Sequence, residues 1–281
     1  MKIKFTQFRW LVAMLLPVTA MAMPKMAWAE TYDQNGFAED GSYQPATLTT
    51  DQYDINGDGT IDEVYEIGNA GQLYWFAALV NGKLTDGTSQ NRNACAVLVS
   101  NITVNKNLLN SLENNGYPTG TVTIDSWTPF GDYISSYYDG LDYLGIFDGN
   151  GHSISGLYCK QPNAKNISFC GYMTKGTIKN VAIIDSYFEG DYNVGGIVGA
   201  SNESAIKNCL FCGTVKSNKR VGGICGAIQG YSTISDCFSN AQILVVENAN
   251  NYCGGICGMG YGQKIKLRNC VYNNSLYSGQ V

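Results

Sequence analysis

The sequence predicts an all-β fold, a right-handed parallel β-helix (β-solenoid) with an N-terminal cap containing one short α-helix. Three observations predict it. An apolar-x-x-(Val/Cys/Leu) element recurs as "ISGL" (154–157), "IKNV" (178–181), "IKNC" (206–209), "ISDC" (234–237) and "LRNC" (267–270), with starts 24, 28, 28 and 33 residues apart. A glycine element keeps step with it: "FCGYM" (169–173), "VGGIVG" (194–199), "VGGICG" (221–226) and "CGGICG" (253–258). The composition, with 33 Gly, 19 Tyr and only 15% charged residues, suits strands joined by many turns. A unit of this size is too small to bury its own apolar face, so units must stack. Paired glycines disfavour a helical solenoid of similar period, and a propeller blade needs a longer unit.

Residues 1–29 read as a cleaved export signal. Lys2, Lys4 and Arg9 precede the apolar run "WLVAMLLPVTAMAM", and "AWA" precedes Glu30. The run is too short for a transmembrane span, and no later stretch is long and apolar enough to cross as a helix. Cleavage removes four of the 18 basic residues and no acidic one, leaving 14 basic against 23 acidic and a net charge of −9. An acidic exported chain argues against nucleic acid and against an anionic lipid surface as partners, and the expected location is extracellular or at the cell surface.

The N-terminal segment, 30–63, contains "DINGDGTID". Asp54, Asn56, Asp58, Thr60 and Asp62 stand at alternate positions of an EF-hand-like loop, with Gly59 at the sharp turn. The twelfth position, where a bidentate acid belongs, is Tyr65. Two readings stand: a polar turn between strands, which is favoured, and a weak calcium site. No other cofactor is called for.

Residues 64–141 form the expected cap and first coils. "VYEI" reads as a strand. In "NAGQLYWFAALVNG", Leu73, Phe76, Ala77 and Val80 have helical spacing, with Asn69 as N-cap and Gly82 as stop. A strand run follows at 95–105. The aromatic stretch 126–144 holds Trp127, Phe130, Tyr133, Tyr137, Tyr138 and Tyr143 among Asp and Ser. Such rings can stack on sugars or dock a protein, so Trp127, Tyr133, Tyr137, Tyr138 and Tyr143 are the candidate ligand-binding residues. Packing of this loop against the solenoid is the competing expectation and the favoured one.

Residues 142–281 hold the repeats. Asn180, Asn208, Asp236 and Asn269 share one turn position and can bond along the stack. Cys209, Cys237 and Cys270 replace Val181, and Cys225 and Cys257 replace Val198. The ten cysteines are therefore expected to be mostly reduced, buried thiols filling a small apolar position. His152, the single histidine, sits in the turn-like "DGNGH", and "CLFC" (209–212) lacks the second pair that zinc needs.

"EIGNAGQLYWFAALVNG", "WTPFG", "GIFDGNGHSISGLY", "GTIKNVAI" and "NVGGIVG", in that order, resemble the GLUG-repeat proteins of bacteria. The resemblance covers most of 64–281. It implies a haemagglutinin-like β-solenoid and an adhesin-like surface role, with a glycan or a host or cell-surface protein as partner. It supplies no catalytic residues. Related repeats accompany some IgA-cleaving metallopeptidases, but the HExxH zinc motif of that activity is missing here. The expectation is a non-enzymatic secreted or surface protein. The alternatives are a carbohydrate-active enzyme on a β-helix, or the N-terminal part of a larger surface protein.

Overall fold

The computed structural model describes residues 32–132, 140–245, 252–262 and 264–273, all within the unit Tyr32–Val281. The expected export signal lies outside the described residues. The described residues are mostly strands with one α-helix, wound as a β-solenoid of about seven turns.

Three sheets form its walls. The first has eight strands in chain order: Thr47–Thr49, Val64–Ile67, Cys95–Leu98, Ile146–Asp148, Thr177–Lys179, Ala205–Lys207, Thr233–Ser235 and Lys266–Arg268. Only the first pair is antiparallel; every later neighbour is parallel and in register. The second wall is built around Ala182–Gly195, flanked by Tyr158–Ile167 and Leu210–Ser217. The third stacks Cys170–Thr174, Val198–Asn202, Cys225–Gln229 and Cys257–Tyr261.

The repeat produces this geometry through alternation. In the three-residue strands of the first wall, the middle residue points inward: Phe147, Ile178, Ile206 and Ile234 form one fully buried column. Their neighbours point outward and are polar from Thr177 onward except Ala205. Each coil thus buries one side chain per short strand and needs the next coil to cover its edges.

One repeat alignment is corrected. "ISGL" was expected to stand in the column of "IKNV", but Phe147 pairs with Ile178, whereas Ile154 pairs with Ile183 in the second wall. Both segments share the apolar-x-Gly/Asn pattern. Phe147 is fully buried, its ring packed edge-on against Phe76 of the cap and against Phe169.

The turn ladder forms. Asn180, Asn208, Asp236 and Asn269 all have left-handed φ (57°, 49°, 56° and 51°), which Asn and Asp tolerate better than other side chains. Asn180 donates to Asp148 Oδ1 (2.9 Å), Asn208 to Asn180 Oδ1 (2.9 Å) and Asn269 to Asp236 Oδ1 (3.0 Å).

The cap is as the sequence predicts. Helix α1 spans Ala70–Asn81; the Asn69 side chain accepts from Gln72 N, and Gly82 ends the helix in the left-handed region. It is buried on nearly all sides, with Leu73 and Phe76 fully enclosed.

Candidate functional site: an open basic and aromatic face

The sequence-predicted aromatic site divides in two. Trp127 and Tyr143 are 1% and 0% exposed, so the expectation that they present rings to a ligand is corrected. Trp127 stacks on Phe169 and meets Tyr74 edge-on, and its indole N–H donates to the Ser168 and Phe169 carbonyls. Tyr143 packs on Phe130 and donates to Ala94 O (2.9 Å); burial drives its hydroxyl well above the ordinary tyrosine range. The reason is topological. Ser126, Phe130 and Tyr143 bridge in parallel to Tyr158, Cys170 and Met173, so this stretch is part of a coil that seals helix α1 against the solenoid. Tyr133, Tyr137 and Tyr138 lie outside the described residues.

The Asp-rich loop is placed on the outside of the first wall. Asp54 accepts the backbone N–H of Gly57, Asp58 and Gly59, and Asp62 accepts that of Ile55. Asn56 bonds to both Asp58 and Asp62, and Thr60 to Asp58. Among the described residues, no group of three or more His, Cys, Asp or Glu is placed to hold a metal ion. Ile55 packs with Val64 and Val97, and Lys179 donates to Ile55 O (2.6 Å), so the loop covers the N-terminal part of that wall.

Other sequence candidates are structural. His152 closes a turn, its N–H bonding to Gly149 O beside left-handed Asn150 and Gly151. Cys209 is buried and donates to Lys207 O (3.2 Å), while Cys212 accepts from Asn240 (3.8 Å). All ten cysteines are free thiols.

The face that the sequence reading missed lies on the same outer wall, beyond the reach of the loop. The outward column runs Glu66, Val97, Asp148, Lys179, Lys207, Ser235, Arg268. At its N-terminal end charges are matched: Glu66 accepts from Gln52 and Tyr53, and Asp148 pairs with Lys179 (3.2 Å). Beyond Lys179 they are not. Lys207, Lys264, Lys266 and Arg268 are exposed and form no ion pair among the described residues. A groove of about 340 Å³ opens here, lined by Tyr231, Thr233, Lys264, Ile265 and Lys266. Tyr231 is 66% exposed, with the Lys264 ammonium 4.7 Å from its ring centre. Two acids border the face: Glu203, 3.9 Å from Lys175, and Asp236, tied into the turn ladder. The signal available in the sequence was the register itself, which aligns Lys179, Lys207 and Arg268.

A parallel β-solenoid of this kind presents an extended, continuous surface. No family model matches the chain. It is 27% identical over 199 residues to halomucin of Haloquadratum walsbyi, a stretch covering 70% of this chain and 2% of that protein. The chain therefore spans a small fraction of the relative it matches. A solved structure from Bacteroides ovatus, named provisionally as an immunoglobulin A1 protease, is 20% identical. It covers 75% of this chain and 66% of its own, with a TM-score of 0.49.

Proposed function

We propose that this chain is an exported, non-enzymatic binding protein of the GLUG-repeat kind, adhesin-like and working at the cell surface or beyond it. Its solenoid displays the groove beside Tyr231 to a glycan. The observation that carries this reading is the exposed aromatic-lined groove on an in-register wall. Exposed rings of this kind stack on sugar faces. The N-terminal 29 residues, the acidic charge and a relative named as a mucin all fit a location outside the cell.

Three acids on the solenoid walls are held by partners within the fold. Glu189 is held by Lys160, Lys216 and Tyr187; Asp185 accepts the Leu108 and Leu109 N–H groups; Asp148 pairs with Lys179. A glycosidase needs two carboxyls facing one sugar across a cleft. The test is a glycan-array screen of the purified protein, with Tyr231→Ala as the control. Binding that weakens in the variant supports the reading. Cleavage of any retained polysaccharide, seen as new reducing ends, overturns it.

A further inference from the structure

The exposed cations on the first wall are arranged for one chemical class of ligand. We infer that this face binds an acidic polysaccharide, a sugar chain bearing carboxylate or sulfate groups, laid along the solenoid axis. The inference rests on the glycan-binding reading and adds the ligand's charge.

The argument begins with the distribution of charge. The chain carries 23 acidic and 18 basic residues, so a solvated surface of random sign would be acidic overall. On the outer column, however, the sign changes along the axis, from Glu66 and Asp148 to Lys207 and Arg268. The N-terminal cations are neutralised. Lys179 has both a carboxylate and a carbonyl partner, and the loop at 53–62 lies beside it. The C-terminal cations are exposed and form no ion pair among the described residues, with Glu203 and Asp236 only at the border of the face.

Spacing gives the second step. Lys207, Ser235 and Arg268 occupy successive rungs, and Ala205, Thr233 and Lys266 occupy the parallel column. Adjacent rungs lie about 4.8 Å apart, so Lys207 and Arg268 are separated by about 10 Å along the axis. A polymer with charges repeating along its length meets several of these cations at once. A compact anion meets only one or two. The groove lies at the same rungs and places the exposed Tyr231 ring and the Thr233 side chain beside Lys264 and Lys266. That combination of a ring, a hydroxyl and ammonium groups fits a sugar with an acidic substituent.

The test is binding of the purified protein to four probes at low and high salt: polygalacturonate, dextran sulfate, uncharged dextran and single-stranded DNA. Expected is retention by one or both acidic polysaccharides, falling steeply with salt, and little retention by uncharged dextran. The triple variant Lys264→Glu, Lys266→Glu, Arg268→Glu should lose affinity by tenfold or more. Lys207→Glu alone should lose several-fold, and Lys83→Glu, placed just beyond helix α1, should lose none. All five positions are exposed, and an unchanged melting midpoint verifies folding. Equal binding of uncharged and acidic glycans would overturn the charge inference and leave the glycan reading standing. Absence of binding to any glycan would overturn both. Tighter binding of DNA than of either acidic polysaccharide would replace the inference with a nucleic-acid site.

Discussion

Within one hexapeptide, "VGGICG" at 221–226, neighbouring residues face opposite constraints. Cys225 stacks in register between Val198 and Cys257, and its thiol donates to Ala227 O (3.1 Å). The column accepts any small apolar side chain, so Cys225→Val should change stability by less than about 1 kcal/mol in urea titration, as volume-conserving swaps do. A loss above about 3 kcal/mol would mean the thiol does something valine cannot. Gly223 is the reverse case: a Cβ there would overlap the Ser239 hydroxyl and the Gly255 carbonyl. One of those is backbone and has no rotamer to escape into, so Gly223→Ala should cost about 3 kcal/mol or unfold the adjoining coils. Burial also keeps the inner thiols protonated. It raises Cys159 to about 12, and raises Cys170, Cys209 and Cys225 well above the ordinary value. With a thiol reagent at pH 8, exposed Cys253 should therefore be modified in the native protein, whereas those four should react only after unfolding, as read by peptide mass spectrometry.

Between elements, the second wall carries a buried charge network that fastens the segment 105–126 to the solenoid. Glu189 bridges Lys160 and Lys216; Lys160 also donates to Asn115 O (2.9 Å) and lies 4.3 Å over the Tyr117 ring. Burial alone would raise the Glu189 carboxyl, but hydrogen bonds from Lys160, Tyr187 and Lys216 outweigh it and hold it below the ordinary 4.5. A depressed folded value means that the stabilisation is present above about pH 4.5 and is lost as pH falls through the lower folded value. Glu189→Gln leaves Lys160, 7% exposed, without its counter-charge, and should cost about 3 kcal/mol at pH 7. The penalty should be smaller at pH 3 than at pH 7, because the wild-type carboxylate takes up its proton as pH falls through the depressed folded value. Urea midpoints of both proteins at the two pH values check this, and an equal penalty at both would refute the ionic account. At the cap, Asn69→Ala removes the acceptor for Gln72 N and should cost about 1 kcal/mol by the same measurement.

At the scale of the molecule, what the sequence showed and what it hid follow one physical rule. Periodic features were legible: the stacked walls, the Asn turn ladder and the valine–cysteine columns each arise from one local pattern repeated coil after coil. The cap helix was legible because Asn69 and Gly82 bracket it. Features made by contact between distant segments were not. For Trp127 and Tyr143 the sequence favoured packing but left a binding role open, because nothing local reveals that helix α1 and Phe169 close over them. The basic face required the register, since Lys207 and Arg268 lie 61 positions apart in the chain. The same one-dimensional logic governs stability, because each coil is supported only by its neighbours. Strand Ala182–Gly195 is paired on both sides and buries Ile183, Phe188 and Val194 completely. Strands Lys266–Arg268 and Val271–Tyr272 pair with a described strand on one side only, and Leu267 and Val271 remain 48% and 55% exposed. Amide hydrogen exchange in the 281-residue protein should therefore be graded along the axis. Exchange should be slowest in 182–195 and 210–217, intermediate in 225–235, and fastest among the strands at 257–272. Uniform protection of all coils would mean that the last coil is held by contacts outside this ladder. A mixed outcome, with the first wall protected to Arg268 and the other walls frayed, would locate that support on the basic face itself.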